Sequence, residues 1–265
     1  MHTVVITGSS EGIGRGLAAE FLRRGDNVVI AGRSQAKIDT ALETLGSMGG
    51  QVTGLSCDVT EVEQVQALWD HAVTQFNSVD VWINNAGLAR TAWQILDVPQ
   101  QDLAAMIHTN MMGTINGCRV AATGMRAQGQ GKIFNMLGGG SDGEYFPGMG
   151  IYGTTKRGLD YFTNALVTEL KDSGVIIGKI RPGMIITEAV VREAKEDPVT
   201  FEKSRAMMNN LVDTIETVAP FLVDRIKATE KSGSKIRWLT GGKIGKRMMM
   251  ARFKKRPDQF EAFGL

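Results

Sequence analysis

Tyr152 and Lys156 stand four residues apart in Tyr152-Gly153-Thr154-Thr155-Lys156. On a helix that spacing puts both side chains on one face. A phenol ordinarily titrates near pH ~10. An ammonium beside it favours the phenolate and is expected to pull that value toward neutrality. The pair would then trade a proton with a substrate oxygen at physiological pH. Tyr and Lys at this spacing also arise by chance, so the rest of the chain has to supply the context.

A second group of residues suits phosphate. Thr7-Gly8-Ser9-Ser10-Glu11-Gly12-Ile13-Gly14 follows the apolar run Thr3-Val4-Val5-Ile6. A glycine turn between strand and helix aims backbone N–H groups and the positive helix end at an anion. Gly8 permits the tight turn, Gly12 the close approach and Gly14 the packing of helix on strand. An ordinary βα loop, a flavin site or a methyl-donor site would share these glycines.

Three further strand ends add to it. Val28 to Arg33 ends in Gly32-Arg33 with no acid. An acid there would bond the 2′-OH of NAD, whereas an Arg accommodates the 2′-phosphate of NADP. Arg33 therefore points to NADP(H), with Glu11 as a charge acting against it. Asp58 closes the next strand, where it either accepts from an adenine amine or caps the helix Glu61 to Phe76. Asn84-Asn85-Ala86-Gly87 offers a small, amide-bearing strand end against which a ligand can lie. Asn110 sits within the apolar stripe Leu103, Ile107, Met111, Cys118 and Met125. It is either a core amide that pins neighbouring backbone or an amide that holds a water near Lys156.

The elements that must position these groups are legible from periodicity. Strands are expected at 3–6, 28–33, 52–57, 79–83, 132–137, 175–180 and 235–239. Helices are expected between them, including one through 102–125 and an amphipathic one from Gly158 to Lys171, which the Tyr152 motif opens. This alternation predicts a single α/β domain, a Rossmann-type doubly wound parallel sheet of about seven strands. Residues 1–240 would form it, with a substrate lid at about 188–231. A basic tail, 241–265, would follow. Seven basic and no acidic residues lie between Gly241 and Arg256, so the other 249 residues, with 23 basic and 28 acidic, sum to −5. That tail suits an anionic membrane surface, the substrate cleft or an oligomer edge.

Composition excludes several classes. The net charge of +2 gives no global field for nucleic acid. Cys57 and Cys118 are unpatterned and the three histidines scattered, so neither a disulfide framework nor a metal site is expected. A reducing cytoplasm fits, a mature plastid form fits equally, and no apolar run approaches a membrane span. The first strand begins at Thr3, which leaves no room for a leader.

Taken together, the glycine motif at Thr7 to Gly14, Asn84-Asn85-Ala86-Gly87, Asn110, Tyr152 with Lys156, and Pro182-Gly183 through Thr187 resemble the short-chain dehydrogenase/reductases in order and spacing over about residues 3–240. The resemblance implies hydride transfer between a carbonyl and an alcohol on NAD(P)(H). It implies Tyr152 as general acid/base and Lys156 as the residue that binds the nicotinamide ribose and lowers the Tyr152 pKa. Asn110 would support the proton relay and Thr187 meet the nicotinamide amide. Thr7, Gly8, Ser10, Gly12, Ile13 and Gly14 would line the cofactor, as would Arg33, Asp58, Asn85, Ala86, Gly87, Pro182, Gly183 and Ile185. A homodimer or homotetramer through helices at 102–126 and 152–172 would be expected.

One departure stands out. The family usually places a Ser thirteen residues before the Tyr, and position 139 is Gly. Ser141 is the nearest hydroxyl; either it swings in, or Tyr152 and backbone hold the substrate oxygen alone. The run Gly138 to Gly143 with Ser141-Asp142, Ile133-Phe134-Asn135-Met136 and Ile236-Arg237-Trp238-Leu239-Thr240-Gly241 resembles the chlorophyll b reductases of plants. That narrower likeness implies NADPH-dependent reduction of a formyl group on a large apolar tetrapyrrole. Another ketone or alcohol, such as a 3-oxoacyl or steroid-like substrate, or a non-catalytic NADP-binding scaffold, are the alternatives.

Overall fold

The computed structural model describes residues 1–91, 93–254 and 256–265. Seven strands form one parallel sheet: β1 (Thr3–Ile6), β2 (Asn27–Gly32), β3 (Val52–Ser56), β4 (Val81–Asn84), β5 (Gly131–Met136), β6 (Val175–Arg181) and, numbered for its place in the chain, β9 (Lys235–Arg237). Their order is β3-β2-β1-β4-β5-β6-β9. The chain runs outward from β1 to β3, returns to β4 beside β1, and then runs outward the other way. Crevices for ligands open at the carboxyl ends of strands where this reversal occurs.

The strands are β-branched and alternate between two cores, as a pleat with both faces covered demands. Val4, Ile6, Val28, Ile30 and Phe134 face one core; Val5, Val29 and Ile133 face the other. The first core is closed by α1 (Gly12–Arg23), α2 (Gln35–Leu45) and α9 (Ile215–Ala228), the second by α3 (Val62–Phe76) and α5 (Gly113–Gln128) among others. Gly124 lets α5 approach α3, since a Cβ there would lie 2.0 Å from the Trp69 ring.

Two elements differ from their sequence expectation. The stripe expected as one helix through 102–125 is α4 (Gln100–Met106), a π-helical turn at Ile107–Met112 and α5. The helix expected from Gly158 begins earlier: α6 is Gly150–Glu169, so Tyr152 lies within its first turn.

The segment after β6 holds β7 (Met184–Ile185), α7 (Glu188–Glu196), α8 (Pro198–Leu211) and β8 (Val212–Asp213), with β7 and β8 paired in parallel. Ile186, Ala194, Phe201, Val212 and Phe260 make a third, smaller core that draws in the chain's end. The last helix, α10 (Gly241–Ala251), has no buried residue. It is tied down by charge instead: Arg247 and Arg256 both donate to the buried Asp213, at 2.9 and 2.7 Å.

Candidate active site

The first turn of α6 presents Tyr152 and its second turn Lys156, so the helical spacing brings the two side chains together. The Lys156 ammonium sits 5.6 Å from the centroid of the Tyr152 ring and donates to the Met136 carbonyl at 3.0 Å. The expectation that it pulls the phenol toward neutrality is not met. Burial pushes the Tyr152 phenol up to about 12 and the Lys156 ammonium down to about 8. The ammonium is itself desolvated, lies over the ring, and spends a hydrogen bond on β5, so its help to a phenolate is outweighed. At neutral pH Tyr152 therefore carries its proton and Lys156 its charge.

Asn110 is fully buried on the π-helical turn. Its Oδ1 accepts from the Leu88 N–H at 2.7 Å, and its Nδ2 donates to the Leu88 carbonyl at 2.9 Å and to Thr155 Oγ1 at 3.0 Å. This is the pinning arrangement. Thr155 passes the support on, donating to the Tyr152 carbonyl at 2.7 Å. Gly87 lies in the middle of the group: a Cβ there would stand 3.2 Å from Asn110 Oδ1 and 3.6 Å from Lys156 Nζ. Sequence reading did not single out Thr155. Its signal was its place beside Lys156 on the inward face of α6.

The glycine run after β5 forms the wall beside Tyr152. A Cβ on Gly138 would lie 2.1 Å from the Tyr152 hydroxyl, so a side chain there would force the phenol aside. Gly139, at the position of the missing Ser, faces Met149 and Phe146. Ser141 is fully buried; among the described residues its Oγ has no hydrogen-bond partner, Tyr152 included. The run is anchored at Asp142, which pairs with Arg181, Lys235 and Arg237, and at Glu144, which pairs with Arg181. Burial would raise the Asp142 carboxyl, but the Lys235 hydrogen bond and the Arg181 and Arg237 charges hold it below the ordinary range.

The phosphate-suited residues converge at β1. Gly8 and Gly12 both adopt positive φ, +61° and +60°. A Cβ on Gly8 would meet Ala86 Cα at 2.7 Å, and one on Gly14 the Gly8 carbonyl at 2.5 Å. Thr7 and Asn85 are the ties between turn and β4: Thr7 Oγ1 accepts from the Asn85 and Ala86 N–H groups at 3.1 Å, and Asn85 Nδ2 donates to the Thr7 and Gly8 carbonyls. Ser9, also missed in the sequence, is buried and links the β1 carbonyl of Ile6 to the Ala31 N–H of β2. Ser10 faces Gly32, where a Cβ would lie 2.9 Å from its hydroxyl.

Arg33 is exposed at the end of β2, and no ion pair engages it among the described residues. The opposing charge of Glu11 is matched by Lys37, 2.8 Å away. Asp58 accepts from Thr60 at its N–H and hydroxyl, an Asx turn rather than a helix cap. Ile13 and Ile185 contribute to the first core. Gly183, after Pro182, turns at φ +86° against Leu239. Thr187 caps α7 by accepting from Val190, and its Cγ2 lies against Gly12.

A doubly wound parallel sheet, a glycine turn on β1 and a Tyr/Lys pair beside the β4 and β5 ends define an oxidoreductase of the dinucleotide-fold class. The chain belongs to the family described as short chain dehydrogenase, whose model matches residues 2–198. It is 38% identical over 250 residues to the chloroplastic chlorophyll(ide) b reductase NOL of Arabidopsis thaliana, covering 91% of this chain and 70% of that one. It is 31% identical over 231 residues to the 3-oxoacyl-[acyl-carrier-protein] reductase FabG of Staphylococcus aureus (strain Mu50), covering 85% and 92%. Among solved structures, ElxO with NADP bound is 27% identical with a TM-score of 0.81, covering 92% of this chain and 99% of that one.

Proposed function

We propose that this chain is an NADPH-dependent reductase that converts a carbonyl, a formyl group on a large apolar tetrapyrrole such as chlorophyll b, to an alcohol. The observation that carries the reaction class is the cluster of half-buried Tyr152, buried Lys156 and Asn110, and exposed Gly87. It supplies a fully protonated phenol at neutral pH, backed by a charged ammonium and held through Thr155 and Asn110. The bound nicotinamide would supply the hydride. Tyr152 donates its hydroxyl proton to the substrate oxygen as that hydride arrives, and Lys156 lends positive charge to the phenol oxygen left behind.

The residues present fit a dinucleotide. Gly8, Gly12 and Gly14 put no side chain of their own into the turn, and Thr187 stands against it. With Lys37 spent on Glu11, Arg33 supplies the positive charge at the adenosine end, and Gly32 leaves no acid for a 2′-OH. The NADP-bound neighbour supports the same choice. Asp58 and the backbone of Asn85 to Gly87 and of Pro182 to Ile185 would complete the lining.

The pigment rests on the NOL relative and on the glycine run. Gly138 to Gly140 let the chain pass close against Tyr152, Met149 and Gly153, where side chains would collide, so the run shapes a tight wall beside the phenol. Ser141 would reach the substrate oxygen only after turning at Gly140 and Gly143, both at positive φ. The FabG relative favours a 3-oxoacyl substrate as the second reading. The test is NADPH oxidation with detergent-solubilised chlorophyll b beside small aldehydes and ketones. Formation of the 7-hydroxymethyl product supports the pigment; turnover on small carbonyls alone removes it. Tyr152→Phe is expected to cut turnover by roughly 10²- to 10⁴-fold with NADPH binding retained. Turnover close to wild type would remove the mechanism, and a wild type that binds NADPH without turnover would favour the scaffold.

Segment 188–231 would serve as the substrate lid, and a second copy would dock through the helical stretches at 102–126 and 152–172. The tail would rest on an anionic membrane. Met249, Met250 and Phe253 form an exposed stripe beside Lys246, Arg252 and Lys254. Among the described residues no helix is long and apolar enough to cross a membrane. Both cysteines are free and buried, which suits a reducing compartment. Sedimentation with and without anionic liposomes at two salt concentrations reads both copy number and membrane contact; absence of binding at low salt removes the membrane.

A further inference from the structure

The anion seat at the start of α1 is filled by the chain itself. The carboxylate of Glu188, first residue of α7, accepts from the Gly12 N–H through Oε2 at 3.0 Å. Its Oε1 pairs with Arg15 Nη2 at 2.6 Å. Gly12 and Arg15 belong to the first turn of the helix whose N-terminus follows the glycine turn, the place where backbone donors and the helix dipole favour negative charge. Glu188 reaches it from 173 residues away in the chain. Thr187 beside it already touches Gly12 and caps α7.

We infer that Glu188 is a stand-in for a phosphate and latches α7 over the glycine turn until a dinucleotide displaces it. The inference rests on the NADPH reading above. A carboxylate and a pyrophosphate repel at this range and seek the same donors, so entry requires the Glu188 contacts to break. Release frees the Arg15 guanidinium, which then has an anionic partner in the pyrophosphate. Release also frees the first turn of α7, whose other tie to the turn among the described residues is Thr187. The latch is light, because Arg15 and Glu188 are 41% and 46% exposed, and an exposed pair exchanges readily. That lightness suits a gate that opens with every turnover. Arg15 is thereby assigned as a cofactor-binding residue, and Glu188 as the residue that couples cofactor entry to the lid.

The test uses Glu188→Gln, which keeps size and removes charge. Stopped-flow mixing with NADPH should show association roughly three- to tenfold faster than wild type, from the loss of one exposed ion pair and one charge-assisted bond. Hydrogen exchange without dinucleotide should show faster exchange at the Val190 and Val191 amides, which bond to Thr187. Arg15→Met opens the same latch but lacks the cation, so its dissociation constant for NADPH should rise severalfold while that of Glu188→Gln does not. Unchanged association and unchanged exchange in Glu188→Gln overturn the latch. A dissociation constant unmoved by Arg15→Met overturns the transfer of Arg15. Wild-type protein that fails to bind NADPH removes the cofactor reading instead, and the exchange experiment, which contains no dinucleotide, still decides the latch.

Discussion

Tyr152 and Lys156 are pushed by burial in opposite directions, and both shifts disfavour charge. For a reductase this is a usable state: the acid keeps its proton and the ammonium is present below about pH 8. The free enzyme's profile of kcat/KM for reduction should therefore fall as pH rises through about 8, where Lys156 loses its proton. Stability should respond in the opposite sense. The folded pKa of Lys156 lies below its ordinary value of 10.5, so the folded state binds fewer protons between about 8 and 10.5. Stability rises with pH across that window, and its contribution is lost as pH falls through 8. Lys156→Arg should remove the alkaline limb of kcat/KM up to pH 10. A wild-type plateau to pH 10 would contradict the assignment. The pair was legible in the sequence from spacing alone. Its electrostatics were not, because they depend on the Met136 carbonyl and on how deeply α6 sinks into the site.

At the scale of elements, the sheet could be read because β-branched runs and glycine turns are local signals. The π-helical turn that carries Asn110 could not. One extra residue per turn leaves an apolar stripe almost unchanged, yet it rotates Asn110 toward Leu88 and Thr155. The departure at position 139 was visible, but its consequence lies one residue earlier. Gly138, not Gly139, faces the phenol. Gly138→Ala should force the Tyr152 hydroxyl aside, since no Cβ–oxygen contact of 2.1 Å survives. A displacement of about 1 Å at the acid costs on the order of 10²-fold in turnover, while the melting temperature and NADPH affinity should stay near wild type. Gly139→Ala meets only the movable end of Met149 and should be tolerated. Equal activity losses in the two variants would show that the wall as a whole, rather than the phenol's neighbour, sets the geometry.

For the whole molecule, the tail shows how far charge counting reaches. Seven cations without an acid read as a free basic surface, but two of them are spent inside the structure. Asp213, only 2% exposed, accepts from Arg247, Arg256 and the Trp238 indole at 2.6 Å. Burial would raise its carboxyl, yet the bonds from Trp238, Arg256 and Arg247 hold it below the ordinary range. The partner lies 34 and 43 residues from the two arginines, on a two-residue strand that no periodicity announces. Asp213 thus joins three parts: β8, the end of the sheet at Trp238 and the C-terminal helix. Asp213→Asn keeps the shape and removes the charge, leaving two half-buried guanidinium groups unmatched. Breaking one side of such a cluster costs about 3–5 kcal/mol where it is fully buried, and less here because the arginines reach solvent. The loss should be local. Limited proteolysis of Asp213→Asn should open cleavage within 241–256 while the sheet core stays resistant, and the cleaved protein should keep NADPH affinity. If the tail remains protected, Phe260 packed edge-on to Phe201, 5.0 Å between ring centroids, is the stronger tether, and the basic run is held by apolar contact rather than by charge.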